Sequence, residues 1–282
     1  MEINLQDTTQ LLKGIAIPPR PAILDDVKKE AAKDDPNFGK IAQRIGQDVG
    51  LAAAMLKTVN SPLFGLSKRV SSVQQAVQLL GIKNTVNIVT GLVLKTSLSG
   101  NNAAQLDLFW DNAALEAMVS AFIASQVPGA QPDTAYTFGL FHNCGIPLLM
   151  QRFPDYGQTL LEAASQPELS ITAVEEKRHA TCHTAVGYLM ARSWFMPEPL
   201  CQAILCHHDA SVFAADNQGV APETCTLIAI TQLADHIAHH LARPGPDHEW
   251  ERMGRQSLSY LGLNDDDYDD IHERVHQLMS QS

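Results

Sequence analysis

Apolar residues recur along most of this chain at intervals of three and four, the spacing of a helix that buries one face. Such faces run through Leu51, Met55 and Val59; Val86, Val89 and Val93; Ala113, Ala114, Ala117, Met118 and Ala121; and Leu227, Thr231, Ala234, Ala238 and Leu241. Another, formed by Val73, Ala76, Val77 and Leu80, follows Ser72 with Gln75 three residues on, the pairing of a capping box, and precedes Gly81, where a helix is expected to stop. Asn-Gly turns between alternating apolar residues, the mark of hairpins, are missing. The pattern predicts an all-α protein. Breakers at Pro18, Pro19 and Pro21, at Asn60-Ser61-Pro62, at Pro128 to Pro132 and at Pro244 to Pro246 punctuate it. With 282 residues the chain exceeds the roughly 250 at which single cores begin to divide, so one body with two sub-cores is expected.

Charge divides the chain. Residues 1 to 141 hold 12 basic and 12 acidic residues, whereas residues 142 to 282 hold 8 and 19, so the net charge of −11 belongs to the second half. That balance, without a basic stripe, argues against a nucleic-acid partner. All 11 histidines and all five cysteines also lie in the second half, so any imidazole or thiolate chemistry is C-terminal. The acidic run Asp265, Asp266, Asp267, Asp269 and Asp270 leads directly into the apolar spacing Ile271, Val275, Leu278 and reads as an acid-rich helix start. An N-terminus with acids where a signal peptide is basic, no apolar run expected to approach the roughly 20 residues of a membrane span, and thiols without a CxxC pair together predict a cytoplasmic protein with no membrane partner.

Three polar residues fall on faces that should be buried. His183 shares its face with Val186, Gly187 and Met190; His207 completes Leu200, Ala203 and Ile204; Asp235 lies four residues after Thr231 and beside Ala234 and Ala238. Buried imidazoles and carboxylates need partners. A metal ion would satisfy several at once, since this donor set suits iron, zinc or manganese. A set of core histidines bonded to one another and to Asp235 would do so equally. Neighbours on a helix point about 100° apart, so His208 can join His207 only if its helix ends by Asp209. His236, His239 and His240 read as a solvated continuation of the Asp235 helix, Trp110 and Trp194 as core. Cys144, Cys182 and Cys206 adjoin histidines but read as small buried residues, and Asn60, Ser61 and Pro62 as a local cap.

The stretch FGLFHNCG at 138 to 145 brings in His142 and Asn143. With IPPRP at 17 to 21, QDVGLAAAML at 47 to 56, NSPLFG at 60 to 65, SSVQQAVQLLG at 71 to 81, HTAVGYLMARSWFMP at 183 to 197 and AILCHH at 203 to 208, it resembles the HDOD domain, a branch of the HD phosphohydrolase superfamily. The likeness runs from about residue 11 to residue 241. It implies two packed helical lobes, residues 1–105 and an HD-like lobe of residues 106–282 that ends in the acidic helix, and a regulatory role in bacterial signalling. In HD hydrolases a histidine, a His-Asp pair and a distant aspartate hold divalent metal that activates water against a phosphate ester. By position these fall near Asn112, on His142 and Asn143, and on Asp235, so Asn112 and Asn143 are degenerate. His183, His207 and His208 match accessory histidines of the diguanylate-hydrolysing branch. The resemblance therefore implies a residual site of His142, His183, His207, His208 and Asp235 for one divalent ion, iron, zinc or manganese. No catalytic residue is expected. The expected function is a non-catalytic module that binds signalling proteins or a small messenger. A metal-dependent phosphohydrolase and a purely structural interaction protein are the alternatives.

Overall fold

A computed structural model describes residues 14–61, 69–99, 103–214, 219–242 and 246–280, and among these there is no β-strand. The N-terminal lobe comprises α1 (Ala22–Ala31), α2 (Phe38–Gly46), α3 (Val49–Val59) and the start of α4 (Val73–Ser99). Short polar side chains set its helix starts: Asn37 Oδ1 accepts from Lys40 N at 3.0 Å and Asp48 Oδ1 from Leu51 N at 2.9 Å. Asn60 has the local role expected of it. Its Nδ2 donates to Leu56 O and Val70 O, both at 2.8 Å, and its Oδ1 accepts from Val70 N at 2.7 Å. Pro62 to Gly65 of the NSPLFG block lie outside the described residues.

The cap at α4 forms almost as predicted. Ser72 Oγ accepts from Gln75 N at 3.2 Å, but Gln75 Oε1 reaches back to Ser71 N, at 3.1 Å, one residue further than the motif requires. At Gly81 the backbone turns to φ 73°, ψ 174°, conformational space open mainly to glycine, and the chain re-enters helix at once. The expected stop is thus a break. Contrary to expectation, Val73–Ser99 has the length and apolar composition of a membrane span. Gly81 interrupts it, and Ile88, Val89, Leu94 and Leu98 are buried in the protein's own core.

The second lobe holds α5 (Ala103–Gln126), α6 (Pro132–Phe141), α7 (Gly145–Arg152), α8 (Tyr156–Ser165), α9 (Ile171–His179), α10 (His183–Ser193), α11 (Glu198–Cys206), a 3₁₀ turn (Ala210–Phe213), α12 (Pro222–Ala242), α13 (His248–Leu261) and α14 (Asp265–Ser280). The expected lobe boundary falls in the first turn of α5. Helix α5 packs on α6 and α12, α10 on α7 and α11, and α4 on α2, α3 and α6. The acidic run opens α14 as predicted, with Asn264 Oδ1 accepting from Asp267 N at 3.0 Å and Asp267 Oδ2 from Asn264 N at 2.9 Å. Trp110 and Trp194 are core residues.

The two expected sub-cores are one, because buried apolar residues from Ile15 to Val275 form a single cluster. Polar bonds cross between the lobes as well. Trp194 Nε1 donates to Pro18 O and Arg20 Nη1 to Trp194 O, each at 3.1 Å, which gives the IPPRP segment its role as a strap on the second lobe.

Candidate metal centre

Three helix ends meet in the second lobe. His183 is the first residue of α10, and Glu175 of α9 accepts both from its backbone N, at 3.0 Å, and from its Nδ1, at 2.8 Å. Tyr156 donates to the other Glu175 oxygen. Burial alone would raise the Glu175 pKa, but His183 and Tyr156 outweigh it and hold the carboxyl below its ordinary range. His207 caps α11, with Nδ1 donating to Ile204 O at 2.9 Å and its carbonyl accepting from Gln232 Nε2 at 2.9 Å. Because α11 stops at Cys206, the chain turns and His208 swings onto the same side, the condition set by the sequence. Its Nδ1 donates to Glu249 Oε1 of α13 at 2.8 Å.

With every Nδ1 engaged, each of these rings has Nε2 left for the centre. His183 Nε2 lies 3.1 Å from His208 Nε2 and 3.4 Å from His207 Nε2, and ligand atoms of all three residues fall within 4.8 Å of one another. An ion bound tetrahedrally at about 2.0–2.1 Å per nitrogen separates its ligand atoms by about 3.3 Å, so the donor set fits a transition metal. The acceptors behind the rings are the second shell such sites use to orient imidazoles.

His142 lies alongside, its ring centroid 5.2 Å from that of His207. Its Nδ1 donates to Gly139 O at 2.7 Å, and its Nε2 accepts from Asn143 Nδ2 at 2.8 Å. Burial, which the bond to Gly139 only partly offsets, pushes its pKa down to about 3. His207 is likewise driven well below the ordinary value by burial and the surrounding imidazoles. Asn143 thus puts an amide donor on the one ring nitrogen of His142 that Gly139 leaves open. Asn112 is half-buried on α5 and its side chain makes no hydrogen bond to a described residue. One turn later the same helix delivers Glu116, whose Oε2 is 3.7 Å from His142 Nε2 and whose carboxyl is hydrogen-bonded to Asp235. Burial, then the repulsion of Asp235, raises Glu116 well above the carboxylate range, and burial with Asp247 and Glu249 lifts Asp235 to about 6. Neither Asp235 nor His142 belongs to the group of three converging histidines, although the Asp235 carboxylate is near enough to His208 for their charges to interact.

Glu116, Glu175 and Glu249 escaped the sequence reading. Only Glu116 left a trace, since it follows Ala113 by three residues on the small-residue face of α5. The solvated reading of His236 is wrong: Trp250 stacks on it at 4.2 Å, Asp247 Oδ2 accepts from its Nδ1 at 2.8 Å, and it is buried. His239 is half-buried and His240 exposed. Cys144 and Cys201 are buried thiols whose pKa values burial drives upward, Cys201 to about 12, so neither is a ready nucleophile.

An all-helical protein with a histidine centre between helix ends has counterparts of the same fold. A family model for the HDOD domain matches residues 17–210, and the chain belongs to that family. It is 27% identical over 271 residues to an uncharacterized protein of Treponema pallidum (strain Nichols), a match over 93% of this chain and 50% of the other, so the chain spans about half the length of that relative. Among solved structures it is similar to an HDOD domain protein with unknown function from Geobacter sulfurreducens, with a TM-score of 0.66, 22% identity and 96% of each chain covered. It is also similar to a protein from Shewanella amazonensis SB2B described as a candidate phosphohydrolase, with a TM-score of 0.69, 20% identity, and 98% of this chain and 94% of that one covered.

Proposed function

We propose that this chain is a regulatory HDOD module of bacterial cytoplasmic signalling that holds one divalent metal ion on His183, His207 and His208 and binds a partner protein or small messenger without turning it over. The observation that carries the reading is the contrast between the two ends of the site. Three Nε2 atoms converge with their rings already braced, whereas the position of a bridging carboxylate holds Asn143, whose amide donates to His142 Nε2. Phosphoester cleavage by a metal pair needs two ions about 3.5 to 4 Å apart, sharing ligands. An amide offers neither the charge nor the second oxygen for that, and burial against Asp235 favours the protonated form of Glu116.

When bound, the ion polarises whatever oxygen or nitrogen ligand a messenger presents. The protein's part is to fix three imidazoles, with His142 supplying a neutral edge. Iron, zinc and manganese all suit the donors. The test is metal analysis of untagged protein together with hydrolysis assays on cyclic dinucleotides, nucleoside monophosphates and aryl phosphates. The expected result is up to one equivalent of metal, lost in His183→Ala, and no turnover above background. Metal-dependent hydrolysis abolished by His183→Ala would overturn the reading in favour of a phosphohydrolase, the activity class ascribed to the Shewanella protein. Two equivalents surviving that substitution would show the ligand set to be wrong.

A further inference from the structure

A second gathering of imidazoles lies where α12, α13 and α14 meet. His236 and His240 stand one turn apart on α12, and His272 faces His240 from α14. Ring centroids are 4.4 Å apart for His236 and His240 and 6.4 Å apart for His240 and His272. In the first centre His183 lies 5.3 and 5.0 Å from His207 and His208, so the His236–His240 pair is at least as close, while His272 stands further off and its ring has to turn inward to share a ligand. One ring of the second group is already braced: Asp247 takes the Nδ1 proton of His236 and Trp250 stacks on its face, which leaves Nε2 as its donor. The side chains of the other two, exposed His240 and half-buried His272, make no hydrogen bond to a described residue, so their rings can turn toward a common ligand.

We propose that His236, His240 and His272 form a second transition-metal site, separate from the first, whose ion fastens α14 to α12. Two imidazoles four residues apart on one helix face reach one ion, and a third from a crossing helix completes a facial set with open positions for water. Imidazole donors select zinc, nickel or copper over calcium or magnesium. The helix that would be fastened is lightly held. Its buried anchors are Ile271 and Val275, and Arg274 Nη1 donates to Gln126 Oε1 at 3.2 Å. A bond from α12 to His272 would clamp it between these points.

The experiment titrates Ni²⁺ alone into untagged, full-length His183→Ala protein, in which the first centre is disabled, by calorimetry. One site is expected to remain. Adding His240→Ala or His272→Ala should weaken it at least tenfold, whereas His248→Ala, at another histidine of the same lobe, should leave it unchanged. In the unmodified protein the same two substitutions should remove the weaker of two binding phases, which covers the case of His183→Ala failing to fold. Trypsin supplies the structural readout: Ni²⁺ should slow cleavage at Arg274, and should not do so once His272 is replaced. Undiminished binding in His240→Ala and His272→Ala, or equal loss in His248→Ala, would overturn the proposal. Failure of the first centre to bind metal would leave this test intact, because it is made without His183.

Discussion

His208 decides how the first centre answers to pH. Burial alone would lower its pKa, but the Glu249 carboxylate outweighs that and leaves it above the ordinary histidine value. His142 and His207 are pushed the other way and stay neutral. Without an ion, His208 is therefore the ring whose protonated form its surroundings favour, and its Nε2 lies 3.1 Å from His183 Nε2. A metal must displace that proton. Affinity is thus full above the raised His208 pKa and falls as pH drops through it, by about tenfold per pH unit for a single released proton. Calorimetry in buffers of different ionisation enthalpy should find close to one proton released near pH 6 and fewer at higher pH. Glu249→Gln removes the acceptor that raises His208 and should move the whole dependence to lower pH. Affinity that does not change from about pH 5.5 to 8 would mean the proton is elsewhere.

At the scale of elements, the site depends on how closely α7 approaches α10. A Cβ built on Gly145 would lie 2.0 Å from the carbonyl oxygen of His183 and 2.7 Å from its carbon, contacts with backbone that cannot rotate away. The glycine of the HNCG stretch is a close-packing position, and it sets where His183 begins its helix. Gly145→Ala should cost about 1–3 kcal/mol, as overpacking does, and should lower metal content along with stability. Chemical denaturation and metal analysis of the same preparation check both effects; unchanged stability with full metal would refute the packing argument. His183 and His207 were legible in the sequence because a period of 3.6 puts a histidine on an apolar face as visibly as a leucine. His208 was legible only conditionally, since its orientation depends on where α11 ends. Glu175 and Glu249 were not legible at all. Their partners are chosen by tertiary packing, over 41 residues for His208 and Glu249, and a glutamate in the first turn of α13 looks the same whether it faces water or an imidazole. His236 was misread for the same reason, because its cover, Trp250, comes from another helix.

For the whole molecule, the continuous core predicts that the two lobes unfold together. All three tryptophans, Trp110, Trp194 and Trp250, belong to the second lobe, so their fluorescence reports chiefly on it and, through Trp194, on the strap, while far-UV circular dichroism sees every helix. Denaturant curves from the two probes should coincide. If dichroism fell first, the N-terminal lobe would be separable and the core less unified than its contacts imply. Trp194→Phe tests the strap directly. It removes the donor to the half-buried Pro18 O and should destabilise the protein by about 0.5–1.5 kcal/mol, the net worth of a typical hydrogen bond, without splitting the transition.

The break at Gly81 also bears on how the chain is handled while it is being made. Residues 82–99 emerge from the ribosome before α5 and α6, against which they later pack, have been synthesised, and for that interval they are an apolar segment in search of cover. At about 1.5 Å per residue the unbroken part is close to 27 Å long, just short of the roughly 30 Å of a hydrocarbon layer, and it carries Lys83 and Lys95. Each lysine opposes insertion by about 2.5–3.5 kcal/mol at the middle of a bilayer and by less toward its edges. The glycine that turns α4 aside, together with these two charges, makes the nascent helix a poor substrate for insertion and leaves it to the core that forms next.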